Sequence, residues 1–365
     1  MTKKSKIIIT ILGTVCCLIL GCLCFLKTQL NKVNYIDSSF DLIPEEDLEE
    51  ENIGNILNDY STLTDNKNII TIQKDNPIYD GIVNILLVGV DRQGTKGYGR
   101  SDCMMILTMN TNTKEIKLAS LLRDNYVSIP GYSFNKMNAS YAYGGPDLLM
   151  ETIKENFGIS LDKYIYVDFN EFSNIIDALG GVDIKLTEKE YKNMYNTAGE
   201  SKIYHLNGED ALKYVRIRKI DSDFGRTTRQ RNVLSALYES FKNKSTTELV
   251  EIATSLLPYI NTNLTQSELL ELLYTGIAIK PNNIQQMMVP VEGTYKFDTT
   301  SSGASIIALD LEENARLLQE YIFGESEIKE SVNITEETNS IYNTTPIVSF
   351  QVEMPRRTAF CSLSR

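Results

Sequence analysis

The sequence predicts an α/β protein: a three-layer α/β/α sandwich around a central mixed sheet, preceded by one N-terminal transmembrane helix. Three observations lead there. A continuous apolar run, NILLVGVD (84–91), ends in Gly89 and Asp91, the pattern of a buried strand. Short β-rich runs then alternate with amphipathic segments of about ten residues, which sets helices on both faces of one sheet. Residues 7–26, IIITILGTVCCLILGCLCFL, form a stretch of twenty residues without a charge.

At about 1.5 Å per residue that stretch covers the roughly 30 Å hydrocarbon core of a bilayer. Lys3, Lys4 and Lys6 precede it, so residues 1–6 belong in the cytoplasm and everything after Lys27 outside. A cleaved signal peptide and lipid attachment at Cys22 are the competing readings. KTQLNKVNY offers no small-residue cleavage site, and apolar residues continue past Cys22 behind a bulky Leu20. The expectation is an uncleaved anchor. Residues 27–80, with PEEDLEEEN at 44–52, read as a polar, acidic stalk.

Residues 81–324 hold the expected extracellular domain. CMMILTMN (103–110) and EIKLASLL (115–122), joined by TNTK, form an antiparallel hairpin. GGPDLLMETIKENFG (144–158) reads as a helix with Pro and Asp in its opening turn and a Gly stop. KYIYVDF (163–169) is a strand, NEFSNIIDALGG (170–181) a helix and VDIKL (182–186) a strand. NGEDALKYVRIRK (207–219) begins as a helix capped by Asn207, and RTTRQRNVLSALYESFKN (226–243) is amphipathic. Helices at 246–257 and 266–278, a strand at 284–292 and a helix at 307–323 complete the domain. Residues 325–365 are a polar tail.

The formal net charge is −12, with 42% hydrophobic and 23% charged residues. That balance excludes a nucleic-acid binder with a basic surface, yet leaves room for a local cationic pocket. Four of the six cysteines lie within residues 7–26, leaving Cys103 and Cys361 outside, which is no disulfide framework. With His205 as the one histidine, a His-rich zinc site or a serine–histidine triad is disfavoured; His205 reads as a surface loop residue.

Against this acidic background DSDFGRTTRQR (221–231) packs three arginines and two acids into eleven positions, just after VRIRK (215–219). Clustered cations need an anion among them. Asp221 and Asp223 supply part of the answer, and an anionic ligand is expected to supply the rest. Other polar groups fall at predicted strand ends, where ligands collect in α/β sheets: Asp91, the GYGRSD loop, and the Arg123–Asp124 pair. Gly97 and Gly99 would serve loop flexibility or let the backbone approach a phosphate.

In order, NILLVGVD, GRSDCMMILTMN, LLRDNYVSIPG, NKMNASYAYGGP, YVDFNEFSNIIDALGGVDI, HLNGEDALKYVRIRK and DSDFGRTTRQRNVL resemble the LytR–CpsA–Psr (LCP) family over about residues 82–243. The resemblance implies a membrane-anchored enzyme that transfers a cell-wall glycopolymer, of teichoic acid or capsule type, from undecaprenyl pyrophosphate to peptidoglycan. It implies an α/β/α domain with the lipid tail in a hydrophobic pocket and the pyrophosphate at its mouth beside Mg²⁺. Asp91 and Asp102 match the metal-holding acids, and carboxylate oxygens suit that ion. Arg100, Arg123, Arg216 and Arg218 match arginines that clamp the pyrophosphate, and Asp223, Arg226 and Gln230 match further site residues. Arg100, Asp102, Asp223 and Arg226 are the expected catalytic set. Asp223 or Asp102 would accept the acceptor's proton, unless Asp223 and Arg226 form only a supporting ion pair. Leu122 departs from the proline many members carry before the arginine. DLLMETI, CMMILTM and NVLSALYESF are the candidate tail-binding segments. Polyprenyl-pyrophosphate hydrolysis and a non-catalytic extracellular regulatory role are the competing functions.

Overall fold

A computed structural model describes residues 27–36, 69–92, 97–218, 220–279, 281, 283–324 and 328. The expected anchor at 7–26 and nearly all of the 325–365 tail lie outside the described residues. Among the described residues no helix is long and apolar enough to cross a membrane.

The strands are β1 (Asn34–Tyr35), β2 (Ile82–Asp91), β3 (Arg100–Asn110), β4 (Glu115–Leu121), β5 (Tyr126–Ser128), β6 (Phe134–Lys136), β7 (Tyr164–Asp168), β8 (Val182–Leu186), β9 (Lys202–Leu206), β10 (Asn261–Thr262), β11 (Gln285–Val289), β12 (Tyr295–Thr299) and β13 (Ser305–Leu309). The helices are α1 (Met137–Phe157), α2 (Phe169–Ala178), α3 (Glu188–Tyr195), α4 (Gly208–Val215), α5 (Asp223–Phe241), α6 (Thr246–Leu256), α7 (Gln266–Ile279) and α8 (Leu311–Phe323). Seven strands make the main sheet in the order β1-β10-β7-β2-β3-β4-β11. It is mixed: β3 pairs antiparallel with both β2 and β4, while β7 joins β2, and β11 joins β4, in parallel.

Alternation along β2 divides the layers. Leu86, Val88 and Val90 face α1 and α8 in the largest core cluster, with Met104 and Ile106 beside them. Val83, Ile85 and Leu87 face the opposite layer, where Leu257, Leu264 and Leu269 meet them. A smaller cluster joins α2, α4 and α5 to the β8–β9 hairpin through Ile176, Ile184, Ala211 and Val233.

Local signals explain the elements that carry the site. Asp168 caps α2, accepting from the Asn170 and Glu171 amides at 2.9 Å, and Glu171 reaches back to the Asp168 amide at 2.7 Å. Asn207 caps α4 as expected, accepting from the Asp210 amide at 2.9 Å. The helix expected at 144–158 is the second half of α1, which begins at Met137 and breaks at Gly144–Gly145 before Pro146. Gly145 has φ 61°, and a Cβ there would stand 2.7 Å from the Tyr98 ring.

Several expectations shift. Part of the stalk segment packs onto the domain: Leu30 and Val33 are buried beside β1 at the sheet edge, and Ile72 and Ile78 join the main core. Their apolar side chains are scattered singly among polar residues, so the average polarity of the segment masks them. The helix expected from 307 starts at Leu311, capped by Asp310; Ser305–Leu309 is β13, paired with β12. His205 lies on β9 rather than in a loop, 2.7 Å from Asp183.

Candidate active site

Asp91 ends β2 and Arg100 opens β3 directly across the ladder. Gly99 lies against the end of β2: its φ is 76°, and a Cβ there would sit 2.3 Å from the Asp91 carbonyl oxygen, so this backbone contact requires glycine. One step inward the register slips. Gly89 pairs with Cys103 and Val90 with Ser101, leaving Asp102 as the extra residue of a β-bulge. The bulge turns Asp102 to the same side as Gly89 and Cys103, the side away from α1.

Four guanidinium groups converge on that carboxylate and its neighbours. Arg123 Nη1 donates to Asp102 Oδ1 at 2.9 Å, and Arg123 Nε to Asp223 Oδ2 at 2.9 Å. Arg218 Nη2 donates to Asp102 Oδ2 at 2.5 Å. Arg226 Nη2 donates to Asp223 Oδ2 at 3.1 Å and Nη1 lies 3.9 Å from Asp102. Gln230 donates to the Asp102 carbonyl at 3.4 Å. Arg216 stacks on the Phe169 ring at 4.3 Å and lies 3.9 Å from Asp91. Arg100, exposed at the rim opposite Asp91, is the one expected arginine that neither lines the cavity below nor joins these ion pairs.

Arg226 is the informative member. Its side chain is 3% exposed, yet Nε and Nη1 have no hydrogen-bond acceptor. Buried donors without partners are costly, and guanidinium groups are suited to bidentate oxyanions. Burial, helped by Arg123 and Arg218, pulls its pKa below the ordinary arginine value against Asp223 and Asp102. Burial also opposes charge on Arg123, but Asp223, Asp124 and Asp102 outweigh it and hold that pKa high. The Asp223–Arg226 ion pair is present at 3.1 Å, alongside the unused donors of Arg226.

The arginine motif divides by function. Arg229 makes a two-pronged pair with Asp221 at 2.7 and 2.8 Å and donates to the Ile217 carbonyl at 2.7 Å. It ties the 217–221 segment to α5, which fixes where Arg218 points. Leu122 is also accounted for. Its amide donates to the Val289 carbonyl at 2.9 Å, a bond that proline could not make, and this anchors the loop carrying Arg123 to β11.

Beside the arginines lies a cavity of about 250 Å³, apolar except for Asp102, Asp168, Arg216, Arg218, Arg226 and Gln230. Two of the expected tail segments line it, through Cys103 and Met105 of β3 and Val233, Leu234 and Leu237 of α5. The third does not: Leu148, Leu149, Met150 and Ile153 of α1 lie in the main core on the other face of the sheet. The sequence reading missed α2 and α4, which contribute Phe169, Phe172, Ile176 and Val215. The available signal is the i, i+3, i+4 spacing of Phe169, Phe172, Ile175 and Ile176, which marks an apolar helix face but not what it faces.

Asp91 and Asp102 supply hard oxygens on one face of the sheet, beside arginines that could hold phosphoryl groups. No group of three acidic, histidine or cysteine ligands occurs among the described residues. This donor set fits an ion that takes one or two carboxylates and completes its shell with phosphate and water, the habit of Mg²⁺.

With this geometry in place, comparison with known proteins is decisive. The LytR_cpsA_psr family model matches residues 54–320. The chain belongs to that family. It is 31% identical over 265 residues to the regulatory protein MsrR of Staphylococcus aureus, covering 70% of this chain and 79% of MsrR. Over 256 residues it is 33% identical to the polyisoprenyl-teichoic acid–peptidoglycan teichoic acid transferase TagV of Bacillus subtilis, covering 66% and 64%. Among solved structures, TagT bound to LIIa-WTA superposes with a TM-score of 0.56 at 27% identity, covering 69% of this chain and 94% of TagT. Bacillus subtilis TagV gives 0.54 at 28%, covering 66% and 97%. The family's α/β fold is thus shared along most of the domain.

Proposed function

We propose that this family member is a membrane-anchored phosphotransferase that moves a glycopolymer of teichoic acid or capsule type from undecaprenyl pyrophosphate to peptidoglycan. The carrying observation is the apolar cavity ending in an arginine cluster whose most buried member has unused donors. An apolar tail beside a diphosphate is the ligand chemistry that such a pairing of surfaces suits. The name of TagV, a teichoic acid transferase acting on peptidoglycan, supports the same reading. The anchor at 7–26 would keep the cavity near the lipid donor on the outer side of the membrane.

In the proposed reaction a peptidoglycan hydroxyl oxygen attacks the sugar-linked phosphorus. The bond from that phosphorus to the bridging oxygen breaks, undecaprenyl phosphate leaves with the electron pair, and the hydroxyl proton passes to a base. Arg123, Arg218 and Arg226 would offset the charge gathering on the phosphoryl oxygens, and Arg216 and Arg100 would hold the head group at the rim. Entry of the head group would draw Arg218 and Arg123 from Asp102 toward phosphate. Asp91 and Asp102 would hold Mg²⁺, which when bound neutralises and polarises phosphoryl oxygens. Asp223 is the better candidate base: its partners Arg123 and Arg226 orient it, while Asp102 would be taken up by the metal. Purified full-length protein given lipid-linked glycan, with and without peptidoglycan, tests the reading. Transfer to peptidoglycan with release of undecaprenyl phosphate is expected; free glycan phosphate formed equally without acceptor would indicate hydrolysis.

A further inference from the structure

Arg216 and Arg218 have a second side. Besides the apolar cavity they line an open groove of about 870 Å³ formed by α3, α4 and the segment after α4. Five cations border it, Lys189, Lys192, Lys213, Arg216 and Arg218, against a single acid, Glu209. In a chain of formal charge −12 this is a concentrated local reversal of sign. Lys213 is already held by Glu209 at 2.8 Å and Asp210 at 3.1 Å. Lys189 and Lys192 are exposed, three residues apart on one face of α3, and have no carboxylate partner among the described residues. Asn193 and Asn196 add amides, while Leu212 and Ile217 add apolar surface.

We propose that this groove is the track of the donor's polymer chain, and that it selects chains carrying a phosphodiester in each repeat. The inference rests on the transferase reading above and deepens it. A head group seated at Arg216 and Arg218 continues into the groove, because those two side chains belong to both spaces. A neutral glycan has no use for two unpaired ammonium groups, whereas a polyanion supplies one phosphate per repeat to each. The amides and apolar patches suit the polyol between phosphates.

The test uses full-length protein in detergent, lipid-free poly(glycerol phosphate) oligomers, neutral chitin oligosaccharides of similar length, and a Lys189→Gln/Lys192→Gln variant. Wild-type protein is expected to bind the anionic chain with an affinity that falls as salt rises. The double variant should bind it about tenfold more weakly, with a flatter salt dependence. With lipid-linked polymer as donor, KM should rise by a similar factor. Unaltered melting would show that the two exposed substitutions leave the fold intact. Equal anionic-chain affinity in the two proteins overturns the proposal, as does an equal loss for the neutral oligosaccharide, which would make the groove a general glycan site. The two readings fail separately. Charge-dependent chain binding without transfer from any donor sinks the transferase but leaves the track; transfer that is indifferent to the two lysines sinks only the track.

Discussion

The two faces of the main sheet put the same strands to opposite uses. Toward α1 and α8, Leu86, Val88, Met104 and Ile106 are at most 3% exposed and meet Tyr141, Leu149 and Phe157, each fully buried. Toward α2 and α5, the intervening positions include Gly89 and Cys103, too small to reach the helices, and a cavity remains. Because side chains alternate along a strand, one face can be filled to interior density while the other is left hollow. The first face carries the largest packed cluster, while the second shares its packing with the cavity.

The sharpest way to break this contrast is to remove the buried arginine. Arg226→Ala should lower kcat for glycopolymer transfer by about a thousandfold. A rate within tenfold of wild type would detach the cluster from the chemistry. On the filled face, Leu149→Ala should cost about 2–5 kcal/mol in denaturant unfolding while leaving KM unchanged in the folded fraction. A raised KM would mean that the faces are coupled. Gly89→Val tests the hollow side. Its Cβ would start 3.0 Å from that of Cys103 and fill the cavity floor. Polyprenyl phosphate binding, followed by fluorescence, should weaken about tenfold, with a loss of unfolding free energy of about 1–3 kcal/mol.

The smallest effect concerns pH. Burial pushes the Cys103 thiol up to about 12, above its ordinary value of 9.0, with Asp102 adding to and Arg226 opposing the shift. The neutral thiol therefore supports folding fully below about pH 9, and that support is lost as pH rises toward 12. Cys103→Ala should flatten the alkaline decline in stability seen by chemical denaturation between pH 8 and 10. An unchanged decline would place the thiol in a wetter setting than the cavity geometry indicates.

Much of the site was legible because charges in an acidic chain stand out and because the blocks that carry them resemble the LytR–CpsA–Psr family. Asp102, Arg123, Arg216, Arg218, Arg226 and Gln230 could be named from ordered blocks, and they meet. Geometry beyond the strand was not legible. Arg226 and Arg229 are three residues apart on α5, yet Arg226 leaves Nε and Nη1 idle, whereas Arg229 has both Nη groups held by Asp221 and the Ile217 carbonyl and leaves Nε idle. Nothing local in TTRQ distinguishes them. DLLMETI carries the apolar pattern of a lipid-binding helix, but which side of a sheet a helix covers is set by the connections around it, not by its own residues. Ile307 belonged to a strand because β12 lies alongside; the Asp310 cap three residues before Glu313 was the overlooked boundary signal.

The bulge at Asp102 gives β3 a requirement of length as well as composition. Removing one residue from that strand's outer end would restore simple pairing with β2 and swing the carboxylate through the sheet, into the layer occupied by Tyr141. An unpaired charge there would be intolerable, so the strand can accept many exchanges of side chain but no frame slip of a single position. Chemistry in this domain is kept in place by counting.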